Sequence, residues 1–415
     1  MIATLSRMWL TRSLKPFRFT NDYDRKLHYI NSSNLGLYVH IPFCKSICNF
    51  CPYCKEIYTK EKCDRYIDSL IDEINYVCGD TKEKKKITSL YFGGGTPALA
   101  VDRLNDIIEV LNKYFEITDG IGVELHPENV CDSTLSILRK IGVTKISIGI
   151  QSFQDKFLDI LGRGKFDYSN MLNSLKKYKF DTVSMDFIFA LPDQTIDDLK
   201  KDIEMAFSNG ANHIAVYPFI DFDFTKSNVK AMTKREKRKL LDEITLYCEK
   251  KGYHRDSIWT FAKEKNAKYS SMTRDNFLGF GCSATTVLDE QFKINTFSVE
   301  DYINRIADKD MATSLTIRFT KRQRMLYYLF WTAYTTRINK KNFESFFGVS
   351  LKRMYGFELL IGKMVGFFTE DDDEYKMTLK GAFYYHHYEN YYTLAYIDKM
   401  WGIMRDVAFP EKIEL

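Results

Sequence analysis

The sequence has 415 residues, of which 45% are hydrophobic and 28% charged, and its net charge at pH 7 is +5. This length predicts one large α/β domain with a smaller second domain, and the mild charge does not by itself indicate a nucleic-acid-binding protein. The 31 Phe and 27 Tyr are enough to build a large core and to line a pocket for a flat apolar ligand.

Neither a membrane span nor a secretory signal is predicted. No run approaches the ~20 apolar residues that a membrane-spanning helix needs. Residues 1–19 are basic and lack a continuous apolar stretch, unlike a secretory signal. The chain has nine cysteines, and without such a signal they favour a cytoplasmic location, where clustered thiols are more often metal ligands or catalytic groups than disulfides.

Residues 36–219 alternate between β-rich runs and amphipathic helical runs. The β-rich runs are "GLYVHI", "ITSLYF", "IGVEL", "TKISIGI", "TVSMDFIFAL" and "HIAVYPF". Such alternation predicts a parallel sheet, and six units favour a partial (β/α)6 TIM-like barrel over the eight units of a full barrel. Residues 1–35 are then an N-terminal extension, and residues 36–313 form the core barrel with its following segment.

The pattern changes at about Ser314. Residues 320–335 and 339–366 predict helices, and residues 366–381 predict a hairpin with an acidic turn. Helices followed by a hairpin resemble a winged-helix-like module, so residues 314–415 are predicted to form a helical domain that covers the barrel mouth. The acidic turn argues against DNA binding, because phosphate contacts dominate such binding.

The aromatic segment 382–396, "AFYYHHYENYYTLAY", has two interpretations. His386 and His387 could ligate haem iron while the tyrosines stack on a porphyrin. We favour the other interpretation, a C-terminal helix whose buried stripe consists of Tyr384, Tyr388, Tyr391 and Ala395.

Cys44, Cys48, Cys51 and Cys54 lie within eleven residues. Structural zinc usually takes two cysteine pairs from separate turns, which one short loop does not provide. The triplet Cys48-Cys51-Cys54 has ferredoxin spacing, but ferredoxins of that type need a further cysteine from a second run, and none follows. The third possibility is Cys44-x3-Cys48-x2-Cys51, three thiolates that leave one iron of a 4Fe–4S cluster open.

The stretch "YVHIPFCKSICNFC", with Phe50 before the third cysteine, resembles the cluster motif of radical SAM enzymes. It is similar in particular to the group around oxygen-independent coproporphyrinogen III oxidase, over residues 37–284 and more weakly beyond. The resemblance implies a 4Fe–4S cluster on Cys44, Cys48 and Cys51, with S-adenosylmethionine (SAM) at the open iron. Reductive cleavage of SAM would then start radical chemistry. Cys54 is predicted not to be a ligand.

The resemblance also implies a set of SAM contacts near the strand ends, where parallel sheets of this kind carry their chemistry. A glycine segment without Cβ atoms lets the backbone approach the methionine amino group, and the guanidinium of Arg163 suits the SAM carboxylate. The expected SAM-binding residues are Tyr38, Phe50, Gly93, Gly94, Gly95, Thr96, Glu124, Gln151, Arg163 and Asp186, with His40 beside the cluster.

The sequence departs from the best-known members of this group. It lacks the "RYTSYPT"-like N-terminal segment, which argues against decarboxylation of coproporphyrinogen. The stretch Tyr269–Ala284 lacks the "HNxxYW" signature of related haem chaperones.

We predict a radical SAM oxidoreductase of porphyrin or haem metabolism that decarboxylates a tetrapyrrole or opens the haem ring. The alternatives are a haem-binding chaperone with a cluster and a C-methyltransferase acting on another substrate. The expected partner is a low-potential electron donor such as flavodoxin or ferredoxin. Because an open iron is oxygen-sensitive, we expect function under anaerobic conditions.

Overall fold

The computed structural model describes residues 2–81, 83–225, 229–264 and 275–415. Residues 269–274 of the stretch compared with the haem chaperones therefore lie outside the described residues. The helices are α1 (Ile2–Thr11), α2 (Lys60–Cys78), α3 (Leu104–Tyr114), α4 (Asp132–Lys140), α5 (Asp155–Ile160), α6 (Ser169–Lys177), α7 (Ile196–Ser208), α8 (Lys234–Lys250), α9 (Val299–Ala307), α10 (Lys321–Ala333), α11 (Lys340–Phe347), α12 (Leu351–Met364), α13 (Leu379–Tyr392) and α14 (Asp398–Asp406).

The strands are short, as is usual for an α/β protein. They are β1 (Arg18–Thr20), β2 (Leu35–Ile41), β3 (Phe43–Cys44), β4 (Glu56–Ile57), β5 (Lys85–Ile87), β6 (Leu90–Gly94), β7 (Phe115–Ile117), β8 (Ile121–Leu125), β9 (Val143–Gln151), β10 (Thr182–Phe189), β11 (His213–Pro218), β12 (His254–Arg255), β13 (Thr260–Ala262), β14 (Asn276–Phe280), β15 (Thr285–Leu288), β16 (Gln291–Asn295), β17 (Thr313–Arg318), β18 (Arg337–Asn339), β19 (Phe368–Glu370), β20 (Glu374–Met377) and β21 (Lys412–Glu414).

The main sheet confirms the predicted parallel core. Strands β2, β6, β8, β9, β10 and β11 are neighbours in that order and pair in parallel. One further parallel strand, β14, pairs with the other side of β2 and was not predicted. Across the described residues the sheet runs from β12 to β21 without closing on itself, so the barrel is partial.

The parallel strands are buried on both faces because helices cover one side and the strands curve around the other. In β10, every residue except Asp186 is buried. The helix α2 packs Tyr66, Ile67, Leu70 and Ile74 against the sheet. The single ionisable residue of this buried strand is therefore a candidate for chemistry.

The buried carboxylate of Glu73 fixes α2 to the strand region after β14. It accepts hydrogen bonds from the Gly281 amide at 2.7 Å, the Tyr302 hydroxyl at 2.7 Å and the Asn295 amide at 3.0 Å. A buried carboxylate is stable only when such donors satisfy it. This network holds the residues around Gly281 rigidly behind β2.

The first and last strands join the same sheet. β1, in the N-terminal extension, pairs antiparallel with both β17 and β21. The segments at the two ends of the chain therefore pack against the core region rather than apart from it.

The C-terminal region follows the predicted order of helices and a hairpin. Helix α10 leads to strand β18, then to α11, α12 and the hairpin β19–β20, and β18 pairs with β20. Met325, Tyr328, Phe343 and Phe347 form a separate apolar cluster beneath these elements. This order is that of a winged helix.

The aromatic segment forms α13 as predicted, but the predicted buried stripe is wrong. Tyr384 and Tyr391 are 39% and 42% exposed, whereas Ala382, Phe383 and His386 are buried. The Tyr384 ring instead stacks on Phe367, with ring centroids 5.0 Å apart. The face of α13 that packs on the core is therefore shifted by one or two residues from the predicted face. Within the described part of the chain, no helix is long and apolar enough to cross a membrane.

Candidate cluster and cofactor site

The cysteine loop follows β2 at the carboxyl end of the parallel sheet. Cys44 ends β3, and Cys48 and Cys51 follow in irregular chain, all three partly exposed. The Lys55 ammonium donates to the backbone carbonyl of Cys48 at 3.0 Å and to that of Cys51, which holds the loop in a tight turn. The loop thus presents three accessible thiols from one rigid segment.

The three thiols do not converge on a single point. Among the described residues, one group of three potential ligands has its ligand atoms within 4.8 Å of one another, and it consists of His40, Cys54 and Cys282. The thiolates of an iron–sulfur cluster bind different irons, so they need to surround a volume rather than a point. The spread of Cys44, Cys48 and Cys51 suits a cluster better than a single ion.

The electrostatics of the loop also fit a metal cluster. Burial raises the pKa of Cys44 to about 11 and also raises the pKa of Cys48, although the nearby charge of Arg163 opposes the increase at Cys48. The bare thiols of Cys44 and Cys48 are therefore protonated near neutral pH, and positively charged iron would displace these protons. The negative charge of the three thiolates would in turn be attracted to Arg163.

The glycine segment after β6 lies directly against the start of the cysteine loop. The Gly95 amide donates to the Ile41 carbonyl at 2.8 Å, and the Thr96 amide donates to the Phe43 carbonyl at 2.7 Å. A Cβ on Gly95 would lie 2.6 Å from the Phe43 carbonyl oxygen. The Thr96 hydroxyl is 3.9 Å from the Cys44 sulfur. Glycine is required here because two backbone segments touch.

Gly93 and Gly94 make room for side chains of the barrel interior. Gly94 has φ of +118°, and a Cβ there would lie 2.7 Å from the His40 ring. A Cβ on Gly93 would lie 3.0 Å from both Glu124 and Tyr38. The Gly94 amide donates to Glu124 Oε2 at 3.0 Å. The missing Cβ atoms of these glycines thus leave space for the His40, Tyr38 and Glu124 side chains and let the backbone lie next to Glu124.

Two carboxyl groups share the barrel interior. Burial raises the pKa of Glu124, although the Gly94 amide stabilises its charge. Burial also raises the pKa of Asp186 to about 7, and the nearby Glu124 charge adds to this rise. The hydroxyls of Ser147 and Ser184 donate to Asp186 at 2.6 and 3.1 Å. Such a pair near neutral pH can accept hydrogen bonds from a polar ligand or hold a proton.

Gln151 and Arg163 lie together over Gly149. A Cβ on Gly149 would lie 3.0 Å from the Gln151 amide nitrogen and 3.9 Å from the Arg163 guanidinium. Gln151 ends β9 with φ of +70°, a conformation that a non-glycine residue rarely adopts. The loop of Arg163 also touches the cysteine loop, since a Cβ on Gly162 would lie 2.7 Å from Asn49. The Arg163 charge is also close enough to the Cys48 thiol to oppose the rise in its pKa.

The predicted site residues lie on the strands β2, β3, β6, β8, β9 and β10 or in the segments that follow them. Phe50 differs from the others because its contacts are apolar. It packs against the group that contains Phe157, Leu161 and Phe219. Its position indicates an anchor for the cysteine loop.

Cys54 is separated from the other three cysteines. It is buried, and its sulfur lies 3.8 Å from Cys282 and 3.1 Å from the Phe297 carbonyl. The prediction that Cys54 is not a cluster ligand remains a prediction, and this placement supports it.

The sequence reasoning did not identify the residues of α14 that contact the loop. Arg405 donates to the Pro52 carbonyl and stacks over the Phe224 ring at 4.6 Å. The Trp401 ring lies 6.0 Å from Tyr53 and 5.8 Å from Phe297. No local motif marks these residues, since only the fold brings residue 401 next to residue 53.

Buried polar atoms between the barrel and the C-terminal helices lack hydrogen-bond partners within the described residues. Such atoms are rare in folded proteins unless water or a ligand meets them. They belong to Trp259, Asn390 and Tyr396, and to His386 and Glu389, whose Nδ1 and Oε2 atoms are 3.7 Å apart. The His386 and Trp259 rings are 5.2 Å apart. This aromatic and polar region is a candidate place for a bound organic molecule.

Comparison with known proteins identifies relatives that share most of this chain. Residues 38–206 match the Radical SAM superfamily. The heme chaperone HemW of Bacillus subtilis is 26% identical over 335 residues, covering 77% of this chain and 88% of that protein. The oxygen-independent coproporphyrinogen III oxidase of Pseudomonas aeruginosa is 23% identical over 327 residues, covering 69% and 70%.

A solved structure shares the fold. Coproporphyrinogen III oxidase (HemN) from Escherichia coli superposes with a TM-score of 0.75 at 20% identity, over 92% of this chain and 97% of that one. The superfamily match starts at Tyr38 and contains the three cysteines, the glycine segment, Arg163 and Asp186.

Proposed function

We propose that this chain, which carries a radical SAM domain, acts on a tetrapyrrole with a 4Fe–4S cluster and SAM as its cofactors. When bound, these cofactors supply one-electron cleavage of the SAM sulfonium bond and hence radical chemistry. The observation that carries the proposal is the placement of three accessible thiols in one loop opposite Arg163, next to the glycine segment and Glu124.

Each predicted residue has a task that its surroundings permit. Cys44, Cys48 and Cys51 hold the cluster. Arg163 pairs with the SAM carboxylate, because a guanidinium fork suits a carboxylate. Glu124 and Asp186 would accept hydrogen bonds from the amino and hydroxyl groups of SAM, and burial raises the pKa of both side chains.

The proposed tetrapyrrole substrate rests on the relatives and on the region under the C-terminal helices. The relatives include proteins named oxygen-independent coproporphyrinogen III oxidase and heme chaperone HemW. Trp259 and Tyr396 offer aromatic faces and buried polar atoms without a hydrogen-bond partner among the described residues. His386 packs on Trp259, with its Nδ1 3.7 Å from Glu389 Oε2. A flat macrocycle with polar edges matches that chemistry.

The second candidate function is that of a haem carrier that keeps the cluster. It is favoured by the similarity to the Bacillus subtilis heme chaperone, because the alignment covers 88% of that protein. His386 is 3% exposed and packed on Trp259, so haem ligation by this residue would require α13 to move. His387 is the more accessible of the two neighbouring imidazoles.

The test is an anaerobic reaction of reconstituted protein with SAM, reductant or flavodoxin, and coproporphyrinogen III or haem offered separately. Mass spectrometry should find 5′-deoxyadenosine and a modified tetrapyrrole, and Cys48→Ala should produce neither. Haem returned intact to an acceptor protein would favour the carrier function instead. Incorporation of the labelled SAM methyl group into the product would indicate a methyltransferase. Absence of 5′-deoxyadenosine under strong reduction would reject a radical SAM enzyme.

A further inference from the structure

A second group of metal-ligating side chains lies behind the cofactor site. The imidazole of His40 and the thiols of Cys54 and Cys282 place their ligand atoms within 4.8 Å of one another, and all three residues are buried. They come from β2, from the end of the cysteine loop and from the turn after β14. None of them is among the residues assigned to the cluster or to SAM contacts.

The distances match those of tetrahedral zinc. The sulfurs of Cys54 and Cys282 are 3.8 Å apart, and two thiolates on one tetrahedral zinc ion, each about 2.3 Å from it, are about 3.8 Å apart. The Ser283 hydroxyl lies 3.3 Å from His40 Nε2, and two nitrogen or oxygen ligands on the same ion, each about 2.0–2.1 Å from it, are about 3.3 Å apart. The group therefore already has two edges of the required tetrahedron.

The imidazole is held in a suitable orientation. The Tyr38 hydroxyl is 3.0 Å from His40 Nδ1, and Nε2 lies 3.2 Å from the Cys54 carbonyl oxygen. Metal binding at Nε2 would replace the hydrogen bond to that carbonyl, with Nδ1–H donating to the Tyr38 hydroxyl. The Tyr66 hydroxyl donates to the His40 carbonyl at 2.7 Å and accepts from the Cys282 amide at 2.9 Å. Two of the three ligands are thus fixed by one buried tyrosine.

We propose that His40, Cys54 and Cys282 bind a zinc ion, with the Ser283 hydroxyl or a water as the fourth ligand. Two thiolates and a neutral imidazole would make the buried centre electrically neutral with a divalent ion. The donor set of soft sulfur and imidazole favours zinc over magnesium or calcium. The ion would tie the end of the cysteine loop to β2 and to the turn after β14.

The charge state of the two thiols agrees with this proposal. The hydrogen bond from Cys282 lowers the pKa of Cys54 to about 5, whereas burial raises the pKa of Cys282. A divalent cation between the two sulfurs would bind both as thiolates and displace their protons.

The position of the site gives it a task. The His40 ring also limits the space at Gly94, where an added Cβ would lie 2.7 Å from it. A metal on Nε2 would fix this ring and thereby the glycine segment that faces SAM. The proposed ion is therefore a structural support of the SAM site rather than a catalytic group.

The experiment measures metals in anaerobically purified holoprotein from zinc-supplemented cultures. We expect about one zinc and about four irons per chain in the wild type and in the matched control Cys248→Ser, a buried cysteine on α8. Cys282→Ser and Cys54→Ser should lose most of the zinc and keep the iron. X-ray absorption at the zinc edge should show two sulfur ligands and two nitrogen or oxygen ligands.

Three outcomes would overturn the proposal. They are wild-type protein without zinc, equal zinc in wild type and Cys282→Ser, or a Cys54–Cys282 disulfide in peptides from the anaerobic wild type. Should the serine variants fail to fold, cobalt(II) titration of the wild type decides. A thiolate-to-cobalt charge-transfer band that zinc abolishes supports the site, and its absence rejects it. Because iron is counted separately, loss of the cluster is distinguishable from loss of zinc.

Discussion

At the scale of single residues, burial in the folded chain sets the chemical properties of the site more than the neighbouring residues in sequence do. Asp186 is the one residue of β10 that is not fully buried, and it receives hydroxyl donors from Ser147 and Ser184. Its raised pKa follows chiefly from desolvation, with the Glu124 charge adding to it. A carboxyl group of this kind costs stability when ionised, which a protein accepts where the group has a function.

Replacing Asp186 with Asn should stabilise the protein at alkaline pH. The pKa of Asp186 is about 7 in the folded chain, above its ordinary value of 3.8. The stability that its proton contributes is therefore complete below about pH 4 and lost as the pH rises through 7. The free energy of unfolding of the variant, relative to that of wild type, should be about 1–3 kcal/mol higher at pH 8 than at pH 5. Denaturant unfolding at both pH values measures this.

The control is Asp80→Asn, since the Asp80 side chain is 84% exposed. The difference in the free energy of unfolding between this variant and wild type should be the same at both pH values. A gain for Asp186→Asn that was the same at pH 5 and pH 8 would contradict the raised pKa.

Replacing Cys54 with Ala should leave the iron content unchanged. The Cys54 sulfur faces Cys282 and the Phe297 carbonyl rather than the exposed side of the loop. Cys44→Ala, Cys48→Ala and Cys51→Ala should instead lose most of the iron. Iron analysis and the visible spectrum of anaerobically reconstituted protein measure this. Wild-type iron in Cys51→Ala together with iron loss in Cys54→Ala would reverse the ligand assignment.

Among the elements, the contact between the glycine segment and the cysteine loop decides the shape of the site. The segment after β6 and the loop after β2 are bonded through the Gly95 and Thr96 amides. Parallel neighbours bring their carboxyl-terminal loops together at one end of a sheet. The two motifs are therefore adjacent because β2 and β6 pair.

Replacing Gly95 with Ala should impair SAM binding and cluster retention. The added Cβ would lie 2.6 Å from the Phe43 carbonyl oxygen and 2.8 Å from the Pro42 carbonyl carbon, both backbone atoms that cannot rotate away. The loops must separate, and we expect at least about a tenfold loss of SAM affinity, or about 1.4 kcal/mol. Equilibrium binding of SAM to the reconstituted protein measures this.

The matched control is Gly402→Ala in α14, where nothing lies within 4 Å of the added Cβ. It should bind SAM normally and gain up to about 1 kcal/mol of stability from the higher helix propensity of alanine. Equal SAM affinity in Gly95→Ala and wild type would show that the contact is not needed.

At the scale of the whole molecule, helix α14 packs against the cysteine loop. Trp401 and Arg405 of α14 contact Tyr53, Pro52 and Phe224. The first and last strands are paired in the same sheet. Residues far apart in sequence therefore pack together around one loop.

Replacing Trp401 with Ala should make the cluster more sensitive to air. Removing the indole opens the contact between α14 and the cysteine loop, and large aromatic truncations in packed regions cost about 3–5 kcal/mol. We expect the visible absorbance of the cluster to bleach several-fold faster in air-saturated buffer. Ile403→Ala is the control, because Ile403 is 40% exposed on the same helix. Equal bleaching rates in the two variants would contradict the covering role of Trp401.

The sequence alone determined the repeating elements and the chemistry of the motifs. Six apolar runs separated by helical runs produce a parallel sheet because each strand needs both faces covered, and these runs are β2, β6, β8, β9, β10 and β11. The cysteine spacing and its preceding strand indicated the cluster because the ligands lie in one local segment. Local patterns of this kind are readable without a fold.

The tertiary structure decided what depends on contacts between distant residues. The parallel pairing of β14 with β2, the phase of α13 and the approach of α14 to the loop depend on packing between residues up to 353 positions apart, which no periodicity encodes. No sequence motif marks Cys282, Ser147 or Ser184. In the fold, Cys282 lies against Cys54, and the two serines donate hydrogen bonds to Asp186. The physical reason is that burial and proximity, which set both pKa values and metal affinity, exist only in the folded chain.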